Sequence, residues 1–217
     1  MILDLLFPNR CLHCHRIIEG SELVCGLCFD QIYFTHHRFD EENVLKQRCQ
    51  LLFPVEYAAA LMQFEAENLS RKIVHQLKYG SRERIGKKLA EWTADRITMP
   101  AEPPDLMVTV PLHPRKLKER GYNQLHLFAE TLASQYGIPH DAAVVKRNFY
   151  KKAQAKKKKA QRSTTSNLFS LAENLQNTHV LLIDDVYTTG NTMSSVAWEI
   201  LKNPGNKVSV LVIAVDV

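Results

Sequence analysis

The apolar positions of this chain alternate between short β-branched runs and helical spacings. Val180 to Ile183 is an unbroken apolar run, too short for a helix and without the alternation of a half-buried strand. It predicts a strand covered on both faces, as in a parallel sheet under helices. Asp184 and Asp185 follow it, and Met193, Val196, Ala197, Ile200 and Leu201 then mark one face of a helix. Leu106 to Val110 is a second apolar run, and strands near Val144 and Val208 extend the sheet. Leu69 to Tyr79 and Arg82 to Ile97 read as amphipathic helices split by Gly80 and Ser81, and Gln124 to Tyr136 as a helix stopped at Gly137. The pattern is that of an α/β domain with a mostly parallel sheet flanked by helices.

The residues at the strand ends carry candidate chemistry. In open α/β sheets ligands bind outside the carboxyl ends of the strands, which is where Asp184 and Asp185 stand. Thr188, Thr189, Gly190, Asn191 and Thr192 then deliver a helix N-terminus, whose unpaired N–H groups attract an anion. Carboxylates suit sugar hydroxyls and a glycine-threonine loop suits a phosphate, so the order reads as a ribose phosphate site. Simple capping of the helix by Thr and Asp is the alternative. At the other strand end, Pro111 and Pro114 stop the run, and Arg115, Lys116, Lys118 and Arg120 crowd what reads as a short basic loop.

The stretch VLLIDDVYTTGNT at 180 to 192 resembles the signature of the phosphoribosyltransferases, which bind 5-phosphoribosyl diphosphate (PRPP) with Mg²⁺. The resemblance implies that Asp184 and Asp185 bind the ribose hydroxyls, and that the loop Val186, Tyr187, Thr188, Thr189, Gly190, Asn191 and Thr192 holds the phosphate. It also implies that Arg115, Lys116 and Arg120 offset charge on a diphosphate leaving group. VPLHPRKLKERGYNQ at 110 to 124, Leu77-Lys78-Tyr79 and the Asp-Asp-Val block narrow the likeness to the ComF family, the competence-associated branch. Gln154 and Arg162 stand at the spacing of that family's intervening loop, with Phe169 near its usual aromatic. Lys151 and Thr165 depart from its pattern.

The N-terminus is a separate unit in the sequence. Cys11-x-x-Cys14 and Cys25-x-x-Cys28, ten residues apart, are paired knuckles that can place four thiolates around one structural Zn²⁺. A redox dithiol and ordinary free cysteines are the competing readings, and His13, His15, His36 and His37 are substitute ligands. Only Cys49 remains, so one zinc is expected, with Cys49 a buried or free thiol. The implied division is a four-cysteine zinc-binding segment over 1–50 and a phosphoribosyltransferase-like domain over 51–217.

Charge adds one more feature. The net charge is +5, yet Lys146 to Arg162 holds nine basic residues and no acid, with Phe149 and Tyr150 interleaved. Such a run suits single-stranded DNA, and equally a solvated loop or a lid over PRPP. The start MILDLLF lacks the features of a secretory signal, and no apolar run approaches the ~20 residues of a membrane span. Together with the CxxC knuckles this predicts a cytoplasmic protein without membrane insertion. The ComF resemblance implies PRPP binding with Mg²⁺ in natural competence, with single-stranded DNA and the DNA-uptake machinery as partners. An active transferase acting on a nitrogen nucleophile and a PRPP-sensing regulator are the alternatives.

Overall fold

The computed structural model describes residues 8–65, 69–79, 83–148, 168–172 and 174–216. Four parallel strands form the central sheet: β1 (Ala58–Phe64), β2 (Leu106–Thr109), β5 (His179–Tyr187) and β6 (Lys207–Asp216), in the order β1-β6-β5-β2. The buried runs foreseen at 106, 180 and 208 are three of these strands. The fourth, AAALMQF, has no β-branched residue and no sequence signal of a strand. It is extended because it fills the edge beside β6, with Ala58 to Met62 fully buried, so tertiary pairing overrides the helical preference of alanine.

Strand periodicity divides the core between two faces. Leu181, Ile183, Leu211 and Ile213 pack on one side with helices α3 (Leu69–Tyr79), α4 (Glu83–Ala94) and α6 (Leu125–Tyr136). Val180, Leu182, Val208, Val210 and Val212 pack on the other, with α2 (Val44–Gln50) and α7 (Asn191–Leu201). Gly86 lets α4 approach α6 closely, since a Cβ there would lie 3.3 Å from the Phe128 backbone nitrogen.

Two expectations are corrected. The segment near Val144 does not join the parallel sheet: β3 (Val145–Arg147) pairs antiparallel with β4 (Phe169–Leu171) as a separate ribbon. The basic stretch after β2 is a helix, α5 (Pro114–Arg120), not a loop. Proline at its first turn is compatible with a helix, the His113 ring accepts from the Arg115 N–H, and Gly121 ends it in a left-handed conformation.

The cysteine segment, which includes the one-turn helix α1 (Gly26–Phe29), packs onto the first of these faces. Leu23, Val24, Ile32 and Phe39 belong to the same apolar cluster as α3, α4 and α6. Phe29 meets Trp92 edge-on with ring centroids 5.1 Å apart, and the Arg96 guanidinium lies 4.0 Å over the Phe34 ring. Lys88 pairs with Glu22 at 3.1 Å, and Lys72 reaches the His13 ring at 3.1 Å. No described helix is long and apolar enough to cross a membrane.

Candidate ligand cleft and cysteine cluster

Adjacent residues on a strand point to opposite faces, and the two acids of β5 do so. Asp185 shares the side of Leu181 and Ile183, toward α3 and α6. There its Oδ2 meets Lys78 Nζ at 3.1 Å and accepts from Gln124 Nε2 at 2.8 Å. Asp184 shares the side of Val180 and Leu182 and lines the pocket of the threonine loop. Its own Oδ1 accepts from the Asp185 N–H at 2.8 Å. The strand continues through Tyr187, paired with Val215 of β6, so the acids lie within its last residues rather than just beyond it.

A cleft of about 180 Å³ is lined by both acids together with Lys78, Lys116, Arg120 and Arg147. Lys116 and Arg120 are one helical turn apart on α5 and share the face toward the cleft. Arg115 and Lys118 are exposed and are not among the lining residues. Burial raises the Asp184 carboxyl, the Asp185 charge raises it further, and it reaches about 7 despite the Asp185 N–H, Lys78 and Lys116. Burial lowers Arg147, while the negative charge of Asp184 acts in the opposite direction.

The threonine loop forms an adjoining pocket of about 60 Å³, lined by Asp184 and by Val186 to Met193. Gly190 is the N-cap of α7, so no side chain caps it, and the first N–H groups of an α-helix have no intrahelical acceptor. The loop is braced from below. Arg48 of α2 donates to the Thr188 and Asp216 carbonyls and lies 5.3 Å over the Tyr187 ring. Gly190 has φ +75°, and a Cβ there would meet the Tyr187 hydroxyl at 2.3 Å. Tyr187 itself is 2% exposed, so its side chain is a floor of the loop rather than a ligand group.

Lys78, Gln124 and Arg48 complete the arrangement without standing out as site residues in the sequence, and Arg147 belongs to the basic run the sequence offers for single-stranded DNA or a PRPP lid. Lys78 was legible only through Leu77-Lys78-Tyr79, and Gln124 only as the last letter of a motif. Gln154 and Arg162 lie outside the described residues, as does the basic run beyond Asn148. Phe169 is buried in β4, under the Arg147 guanidinium at 5.2 Å.

The ligand atoms of Cys11, Cys14, Cys25 and Cys28 all lie within 4.8 Å of one another, and this is the metal-ligating cluster among the described residues. Burial would raise the Cys11 thiol, but backbone N–H groups of Cys14, Cys25 and His13 outweigh it and lower it to about 6, while burial and the neighbouring thiols push Cys28 up to about 12, so one proton is drawn from Cys11 and held at Cys28. Backbone donors aimed at a sulfur favour a thiolate, so the donor set fits a structural Zn²⁺. None of the four candidate histidines joins the cluster, and His37 Nδ1 accepts from the Ala60 N–H at 3.3 Å. Cys49 is buried on the opposite face of the sheet, with its thiol pushed up to about 12 by burial.

A phosphoribosyl transferase domain family matches residues 126–216, and a double zinc ribbon domain family matches 2–39. DNA utilization protein YhgH of Escherichia coli (strain K12) is 31% identical over 209 residues, covering 92% of this chain and 87% of that one. The protein of the same name from Salmonella typhi is 31% identical over 149 residues, covering 64% and 63%, so that alignment spans less than two thirds of that relative. Competence protein ComFC of Bacillus subtilis is 37% identical over 93 residues, covering 42% and 36%.

Proposed function

Because this chain belongs to the ComF family and carries a phosphoribosyltransferase domain with a zinc ribbon, we propose that its cleft binds PRPP together with Mg²⁺. The observation that carries the reading is a pair of adjoining pockets that share Asp184, Val186 and Thr192 and present three chemistries in order. A helix N-terminus with bare N–H groups adjoins Asp184, and Asp184 adjoins Lys78, Lys116, Arg120 and Arg147. A phosphate, a polyol and a diphosphate need donors, a carboxylate and cations in that sequence.

Each residue then has a task. Thr188 to Thr192 hold the 5-phosphate, and Asp184 accepts from the ribose hydroxyls. Lys116, Arg120 and Arg147 face the diphosphate, and Lys78 holds Asp185 in place through their 3.1 Å ion pair. Asp184 is the carboxylate left to help hold Mg²⁺, which commonly takes one or two protein carboxylates and otherwise water and phosphate oxygens. Bound there, the ion would offset diphosphate charge. Calorimetric titration with PRPP, with and without Mg²⁺, tests this: saturable, Mg²⁺-enhanced binding at one site per chain is expected, and no heat at millimolar PRPP would refute it.

The relatives' names, a DNA utilization protein and a competence protein, support a role in handling DNA. We assign single-stranded DNA to the basic run 146–162, whose Arg147 lines the cleft. Binding should weaken with salt, and changing Lys156, Lys157, Lys158 and Lys159 to Gln should lower the slope of log K against log salt by about 3. An unchanged slope would remove the run from the interface. Turnover is a separate matter from binding. The cleft is lined by the acids and cations that a transferase would need, and diphosphate release on adding ammonia or nucleobases to PRPP separates an enzyme from a binding protein.

A further inference from the structure

Gln124 sits at the N-cap position of α6 and is 2% exposed, yet it does not cap the helix. The neighbouring Asn123 accepts from the Leu125 N–H at 3.1 Å instead. The Gln124 amide is therefore spent elsewhere. Its Nε2 donates to Asp185 Oδ2 at 2.8 Å, and its Oε1 accepts from Arg120 Nη1 at 2.9 Å. A carboxylate can only accept and a guanidinium can only donate, so one orientation of the amide satisfies both partners.

The two partners are otherwise fixed as well. Asp185 Oδ2 also meets Lys78 at 3.1 Å. Arg120 donates through Nη2 to the Tyr79 hydroxyl at 3.3 Å, and its guanidinium lies 4.9 Å over that ring. The result is a continuous chain, Lys78 to Asp185 to Gln124 to Arg120 to Tyr79, that joins the acidic wall of the cleft to its basic wall. Residues 78, 120 and 185 come from three different elements, and the buried amide bonds to both walls.

We propose that Gln124 is a positioning residue that couples the two walls. It holds the Arg120 guanidinium in register with the Asp185–Lys78 pair before a ligand arrives, so that the cation facing the diphosphate is fixed relative to the strand end that carries Asp184. This rests on the PRPP reading given above. A group that is pre-oriented loses less freedom on binding, which is how a residue without ligand contact raises affinity. The same observation explains why two adjacent acids are present: Asp185 is consumed in the chain, and Asp184 is left for the ligand.

A purely structural Gln124 would affect stability and nothing else, so the test is a double-mutant cycle on PRPP affinity with Mg²⁺, read by calorimetry beside thermal melts. Gln124→Met keeps the volume and removes both hydrogen bonds. It should weaken PRPP binding about tenfold, as expected when a buried partner loses its mate. In an Arg120→Met background the same change should cost at most about threefold, because the two residues act through one another. Equal losses in both backgrounds, or an unchanged affinity in Gln124→Met, would overturn the coupling. If Gln124→Met does not fold, the near-isosteric Gln124→Glu replaces it. That variant places a second carboxylate against Asp185 and should also weaken PRPP, with wild-type affinity overturning the proposal. Wild-type protein that binds no PRPP would instead remove the functional reading, and the coupling with it.

Discussion

Changing Cys11 to serine is expected to release one equivalent of zinc and to lower the melting temperature by roughly 10 °C, the largest effect foreseen for any single substitution. A structural zinc contributes about 10 kcal/mol or more to the segment that holds it, and one missing thiolate forfeits a large part of that. At this chain length about 1 kcal/mol shifts a melting temperature by roughly 2–4 °C. The effect should spread because the cysteine segment is not an isolated knob. Cys11, Cys28, Leu23 and Phe39 are buried in the same cluster as Ile73 and Leu77 of α3, and α3 carries Lys78 to the cleft. Zinc content by mass spectrometry of the native protein, together with calorimetric melting, checks this. A variant that keeps its zinc would point to a histidine ligand, and one that loses zinc without losing stability would make the site dispensable for the fold.

Asp184→Asn is expected to abolish Mg²⁺-dependent PRPP binding while making the protein more stable at neutral pH. The sign follows from the direction of the shift. Asp184 has a folded value of about 7 against an ordinary 3.8, because burial and the Asp185 charge disfavour its ionised form. Between those two values the folded state binds a proton that the unfolded state has lost, so the contribution to stability is present at low pH and is lost as pH rises through 7. Asparagine carries no charge and removes that penalty, so the variant should melt at least ~2–4 °C higher at pH 8 and show little difference at pH 4. Binding runs the other way. The ionised carboxylate is the form that accepts from hydroxyls and holds a cation, so wild-type affinity for PRPP with Mg²⁺ should rise with pH through about 7 and level off above it. Melting curves at both pH values and a pH series of titrations check the pair of effects. A variant that binds PRPP normally would displace Asp184 from the site.

What could be read from the sequence was whatever the local chain dictates. Val180 to Ile183 is a strand because four apolar residues in that context are buried on both faces, and the acids and threonines after it are contiguous. Ile73, Val74 and Leu77 declare one face of a helix, and the helix occupies the predicted Leu69–Tyr79. Other elements are set by residues distant in the chain or by the ends of the segment. Ala58 to Phe64 is a strand only because β6 lies beside it. The segment 114–120 is helical although two prolines and four cations suggested a loop, because His113 and Gly121 supply its ends. The different partners of Asp184 and Asp185 are equally invisible in the sequence, since Lys78 and Gln124 are remote in the chain and meet Asp185 only in the fold.

The most direct test of the central claim is a crystal structure of the protein soaked with PRPP and Mg²⁺. The expected density places the 5-phosphate on the backbone of Thr188 to Thr192, the ribose against Asp184, and the diphosphate facing Lys116, Arg120 and Arg147, with Asp185 still bonded to Lys78 and Gln124. An empty cleft at saturating PRPP, or a phosphate bound away from the threonine loop, would contradict it.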